Sequence, residues 1–287
     1  SQLADLKKIG NRPYISGQAY RHAIKDALKQ IVDDLTAVDC SPQYACGEIA
    51  ECKLCDLFGY MNTDLGDGDP PAKRYSPIRV SPLEGQYDRP LTTDMILQYD
   101  PDEGAQHNIG YREMTENVFK GAIMLDLPAV GRRETETVDS SRDHDEVYQR
   151  TFETAIDDAE RDRRVGELID AIANTSRLAG QARHMADFMP DFCIGATVGQ
   201  YNQRLANAIH VDHEGECDVR TLRSVLTDIG NQDGEVFVGA TYNPQVLQNW
   251  DEVMDTASSF DHVSTFESIT ETFDAVKEQV ATTSGDD

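Results

Sequence analysis

Four cysteines, Cys40, Cys46, Cys52 and Cys55, fall within sixteen residues in the pattern C-x5-C-x5-C-x2-C. If their thiols converge, the backbone between them must wrap around one point, and the segments on either side must leave from it. Only Cys52 and Cys55 show the two-residue spacing common in zinc knuckles. Two readings stay open: a closed tetrahedral structural zinc site, or reduced thiols in a loop rich in cysteine. Cys193 and Cys217 stand apart and are expected to be plain thiols. No apolar run is long enough to span a bilayer and no signal peptide is visible. A cytoplasmic location is therefore expected, and there thiols or metal ligands are commoner than disulfides.

Charge sets the next limit. The chain carries 33 Asp and 19 Glu against 18 Arg and 8 Lys, for a net charge of -26. An acidic surface repels phosphate, so such a balance ordinarily argues against a nucleic-acid partner. The excess of Asp over Glu and of Arg over Lys is also the composition expected in molar salt. Short carboxylates hold water there, and the long apolar stem of Lys becomes a liability. At 1 M salt the Debye length is about 3 Å, so the global charge does not veto RNA binding. The same screening weakens each Arg–phosphate contact, so such a binder must rely on stacking, hydrogen bonds and many linked subunits.

The periodicity predicts a mixture of elements. Tyr20, Ala23, Ile24, Ala27, Leu28, Ile31, Val32 and Leu35 share one face of a helix over Ser16 to Leu35, with Ser16 as its cap. Gly17 leaves the first turn open to close approach, as at a phosphate-binding helix start. Asn117 to Leu127 reads as a buried strand, and Asp191 to Val198 and Glu235 to Tyr242 as further strands. Helices are expected from Val165 to Ala173, Val219 to Ile229, Pro244 to Thr256 and Phe266 to Ala281. Strands and helices mixed without βαβ regularity predict an α+β fold in one domain over residues 1–287.

No nucleophile triad, Walker loop, GxGxxG or HExxH is present. His210 and His213 flank Asp212, a turn expected to be solvated rather than a metal site. Carboxylates are too common here for any pair of them to signal acid–base chemistry. The scarce cations are more informative. Arg161 to Arg164 sit among acids and are expected to form ion pairs, whereas Arg74 and Arg79 lie in the locally basic segment Lys73-Arg74-Tyr75-Ser76-Pro77-Ile78-Arg79-Val80.

Several segments in order resemble the DevR family of CRISPR-associated proteins. They are Leu6-Lys7-Lys8-Ile9, Pro13 to Arg21, Cys52-x-x-Cys55 through Met61, and Ser76-Pro77-Ile78-Arg79-Val80-Ser81-Pro82. Tyr111-Arg112-Glu113, Leu125-Asp126-Leu127 with Val130-Gly131, and Gly180-Gln181-Ala182-Arg183-His184 continue the series.

The resemblance implies a backbone subunit of type I-B Cascade, with a ferredoxin-like, RNA-recognition-type core sheet bearing finger and thumb insertions. A finger is expected at about residues 40–115 and a charged insert or thumb at about 134–164. Copies would stack head to tail along the spacer of the crRNA beside other Cascade subunits. They would hold its backbone while base pairing reads target DNA. By resemblance, Lys7, Lys8, Ser16, Gly17, Gln18, Arg21, Arg74, Arg79, Arg183 and His184 face RNA. No enzymatic activity is expected. Family members usually carry a further strand before the Leu6-Lys7-Lys8-Ile9 segment, close to where this sequence begins. Two competing readings are a guide-dependent RNA endonuclease of the type III kind, using Asp5 or Asp26, and a non-RNA acidic interaction protein containing zinc.

Overall fold

The computed structural model describes residues 3–4, 6–34, 40, 45–62, 72–98, 108–139, 147–175, 178 and 188–283. Strands β1 (Leu3–Ala4), β2 (Lys8–Ile9) and β3 (Arg12–Ile15) lead into helix α1 (Gly17–Ile31). Helix α2 (Lys53–Phe58) follows the cysteine loop. Short strands come next: β4 (Tyr60–Asn62), β5 (Ala72–Arg74), β6 (Ile78–Val80), β7 (Leu83–Gly85), β8 (Thr92–Gln98), β9 (Asn108–Met114), β10 (Phe119–Lys120) and β11 (Ile123–Leu125). The hairpin β12 (Arg132–Asp139) and β13 (Val147–Thr154) precedes helix α3 (Asp158–Ala173). The chain ends with β14 (Phe192–Thr197), α4 (Val219–Gly230), β15 (Glu235–Ala240), α5 (Trp250–Ser258), β16 (Val263–Phe266) and α6 (Ile269–Thr283).

The fold is α+β, as the mixed periodicity predicts. Its strands are spread over several small sheets, among them β10-β7-β3-β2, β14-β15-β16 and the pairs β11-β6 and β12-β13. Two cores result. One lies among α1, α2, α3, β6 and the end of α6, with Ile24, Leu28, Leu57, Ile78, Leu168 and Val280 at its centre. The other lies under β14 and β15 among α4 and α5, built from Leu222, Leu226, Ile229, Val238 and Val253. Helix α6 packs on α3 and also on β14 and β15, so it joins the two.

Helix α1 starts where its cap dictates. The Ser16 hydroxyl accepts from the Ala19 amide at 3.3 Å, and the helix ends as Val32 turns extended at φ -121°. The expected single strand from Asn117 to Leu127 is two strands, broken at Gly121 and half-buried rather than buried. The helix expected from Pro244 begins six residues later at Trp250, because Asn243 side-chain and backbone groups hold Gln245 and Leu247 in a turn. Strand β16, parallel to β15 from Val263 to Phe266, was not foreseen. Residues 134–164, expected as one charged insert, divide between the β12–β13 hairpin and the first two turns of α3. Among the described residues no helix is long and apolar enough to cross a membrane.

Candidate functional site

The sulfur atoms of Cys40, Cys46, Cys52 and Cys55 all lie within 4.8 Å of one another. Cys55 Sγ is 3.4 Å from Cys40 Sγ and 3.6 Å from Cys46 Sγ. A disulfide needs about 2.05 Å, so none of these contacts is one. Four thiolates around a tetrahedral ion at about 2.3 Å stand about 3.8 Å apart, and the observed spacings match that arrangement. Cys52 also caps α2, its sulfur accepting from the Cys55 amide at 3.4 Å. The Cys52 thiol and burial push the Cys55 pKa up, and burial raises that of Cys46. Without a cation Cys46 and Cys55 keep their protons; a divalent ion would displace them. The cluster is therefore positioned to bind a metal ion.

A buried ionic network clamps this loop to the first core. Asp56, wholly buried, accepts from Arg164 Nη1 at 2.9 Å, from the Gly131 amide at 2.9 Å and from the Arg74 guanidinium. Arg164 also donates to the carbonyls of Ile49 at 2.7 Å and Ala50 at 2.6 Å and to Glu160 at 2.7 Å. Lys53, 2% exposed, is held between Asp34 and Glu167 at 2.9 and 2.8 Å. The ion pairs expected of the Arg161–Arg164 run are thus present, and Arg164 makes the most buried of them.

The network corrects the expectation for Arg74. Its side chain is 8% exposed and its guanidinium is shared by Asp56, the Asp56 and Arg132 carbonyls and the Ala129 carbonyl at 2.8 Å. It braces the fold and does not face solvent. Arg21 is also drawn inward: it donates to the Phe58 carbonyl and lies over the Phe58 ring, 5.7 Å from its centroid. Gly17 does admit a close approach, and what comes close is backbone: a Cβ there would stand 2.5 Å from the Val80 carbonyl of β6. Gly59, at φ 65°, similarly meets the Arg74 carbonyl.

Lys8 pairs with Glu113 at 3.1 Å, and Glu113 also accepts from the Leu6 amide at 3.0 Å. Lys7 and Gln18 are exposed, and Ser16 is occupied as the α1 cap. Arg183 and His184 lie outside the described residues.

Arg79 is placed differently. It is exposed on β6, has no ion pair among the described residues, and its guanidinium sits 4.9 Å from the centre of the Tyr201 ring. Both residues line a broad groove between the two cores. The walls of this groove come largely from residues 6–25, 72–83, 117–125 and 192–211, and none of these runs contains an Asp or a Glu. Among the described residues the groove's carboxylates are Asp94, Glu113, Glu116, Asp126 and Asp191, against Arg79, Arg89, Arg112 and Lys120. It is thus close to neutral in a chain of net charge -26. On its floor burial pushes the Tyr20 hydroxyl up to about 12, with Cys193 adding to the rise, and pushes the Cys193 thiol up to about 12. Both stay neutral at physiological pH. Burial lowers the pKa of Lys120, which donates to the Ile209 carbonyl.

Among the described residues expected to face RNA, only Arg79 lines the groove. Tyr201 was missed. The signal that marks it is the twenty-residue run from Phe192 to Val211 without one carboxylate, in a chain with 52.

Comparison with curated proteins finds no match. Two chains of solved structures share the fold. One, from a "CRISPR RNA-guided surveillance complex", has a TM-score of 0.51 at 12% identity, covering 93% of this chain and 86% of that one. The other, from a "CRISPR RNA-guided surveillance complex, pre-nicking", has a TM-score of 0.56 at 12% identity, covering 94% and 90%. The family model described as "CRISPR-associated negative auto-regulator DevR/Csa2" matches residues 3–204. On that match, which spans well over half its length, the chain belongs to the DevR/Csa2 family of CRISPR-associated proteins.

Proposed function

We propose that this protein is a non-catalytic backbone subunit of a Cascade-type surveillance complex. It binds crRNA in the groove between its cores, polymerises head to tail along the spacer, and leaves the bases free to pair with target DNA in antiviral defence. The observation that carries this reading is the groove itself. A chain of net charge -26 keeps one broad surface close to neutral, and an exposed arginine without an acidic partner among the described residues stands on it. A sequence-neutral grip on a polyanion needs such a surface. Family membership and the fold shared with chains of surveillance complexes support the same reading.

The cysteine cluster holds a structural Zn²⁺ in this reading: four thiols at tetrahedral spacing, two of them buried, leave no position for a substrate. The metal fixes α2, and through Gly59 and Arg74 it fixes the approach to β6. The protein works in a salt-rich cytoplasm, where screening hides its global charge and contacts between copies compensate for weak single contacts.

The test is native purification with bound nucleic acid. We expect co-purified RNA of uniform length and about one zinc per chain, as a closed structural site requires. Replacing Arg79 and Arg89 together by Gln should weaken RNA binding and flatten its salt dependence by about 0.7 for each phosphate no longer neutralised. A purified chain free of RNA, with unchanged affinity in the double variant, would refute the reading.

A further inference from the structure

Tyr201 stands at the edge of the groove with 55% of its surface exposed. One side of the ring is covered by the Arg79 guanidinium at 4.9 Å, which brings a residue of β6 against the loop after β14.

That loop is held in shape. The Asn202 amide donates to the Gln200 carbonyl at 3.1 Å and to Gln232 Oε1 at 3.0 Å, and its oxygen accepts from the Arg204 amide at 3.1 Å. Gln200 and Gln203, on either side, carry exposed amides. The aromatic ring is thus presented by a tied turn, and little ordering entropy remains to be lost when a ligand stacks on it. An exposed ring backed by a cation and flanked by neutral amides, without a carboxylate from Phe192 to Val211, has the chemistry that receives a nucleobase.

We propose that Tyr201, backed by Arg79, is a stacking platform for one nucleobase of the strand in the groove, with the Arg79 guanidinium reaching that nucleotide's phosphate. The proposal rests on the RNA-binding reading and adds to it a fixed base position in each copy. In high salt this division is effective, because stacking on a neutral ring loses no strength to screening whereas a phosphate contact does.

The experiment uses the full chain and an unstructured single-stranded RNA carrying 2-aminopurine, whose fluorescence is quenched on stacking. Tyr201→Leu should weaken binding about 5- to 150-fold, the range that base–aromatic stacking supplies, with the salt slope unchanged. It should also abolish the quenching, and Tyr201→Phe should restore both. Arg79→Gln should instead lower the slope by about 0.7. If Tyr201 only ties the two cores together, Tyr201→Leu will lower thermal stability and leave the quenching of bound RNA intact, which overturns the platform while the RNA-binding reading stands. Failure of the unmodified chain to bind the RNA at any salt overturns both.

Discussion

The two cores of this molecule are built on different physics. The core around α4, α5 and β15 buries no charged residue among those described; its buried members are Leu222, Leu226, Ile229, Val236, Val238, Leu247 and Val253 among others, with Cys217 and, on α5, Thr256. The core around α1, α2 and α3 has a similar apolar centre but buries Lys53, Asp56 and Arg164 beside it, next to four converging thiols. In the first kind of core a truncated side chain leaves a cavity, and the cost is graded by how far the site collapses. In the second a truncated side chain leaves a charge without a partner in a place water does not reach, and the cost is steep. The ionic core is also the one that adjoins Arg79, so the steeper dependence lies behind the proposed RNA surface.

The largest effect should therefore come from Asp56. Asp56→Ala removes the carboxylate that Arg74 and Arg164 share, leaves Arg164 with Glu160 as its one remaining counter-charge, and leaves the Gly131 amide without its acceptor. We expect a loss of about 3–5 kcal/mol, the cost of breaking a buried ion pair on one side. Urea unfolding monitored alongside metal content reads it, and metal should be released with the first transition. A loss under about 1 kcal/mol, the value of an exposed pair, would show that the network is solvated and would erase the contrast between the cores.

In the apolar core the matching change is Leu226→Ala. Leu226 is fully buried on α4, and its truncation should cost about 3 kcal/mol, within the range of buried leucine deletions. Metal content and the Arg79–Tyr201 contact should be unaffected, since none of their side chains belongs to this core. Loss of metal in Leu226→Ala would mean that the two cores unfold as one unit, coupled through α6.

What the sequence revealed follows the same divide. Helix α4 and strands β14 and β15 were legible because apolar burial is written in local periodicity. The thiol cluster was legible because its four members are close in the chain. The partners of the ionic core were not: Asp56, Arg74 and Arg164 come from segments up to 108 residues apart, and in a chain with 52 carboxylates no single pairing stands out. That is why Arg74, in a segment that looked basic and exposed, was expected to face RNA and instead braces α2. Tyr201 was hidden for the converse reason. Its signal is an absence of acid over twenty residues, which acquires meaning only once the runs around Ile15, Arg79 and Lys120 are seen to face the same groove.

The smallest effect sharpens the comparison at its edge, where the ionic network meets solvent. Asp34 is 60% exposed and receives Lys53 at 2.9 Å and Arg163 at 3.0 Å. Hydrogen bonds from Lys53 first, then Arg163, lower its pKa from 3.8 to about 2. A carboxylate whose folded pKa is depressed adds stability above its unfolded value and loses it as the pH falls through the folded one. The contribution of Asp34 is thus complete above about pH 4 and disappears as the pH falls towards 2. Because the group is mostly solvated, Asp34→Asn should cost less than about 1 kcal/mol at neutral pH, and less still in molar salt. The gap between the two proteins should narrow below about pH 4 in denaturation curves. If it persists unchanged to pH 2, the side chain acts through packing, and the charged network ends at Lys53 and Glu167 rather than at the surface.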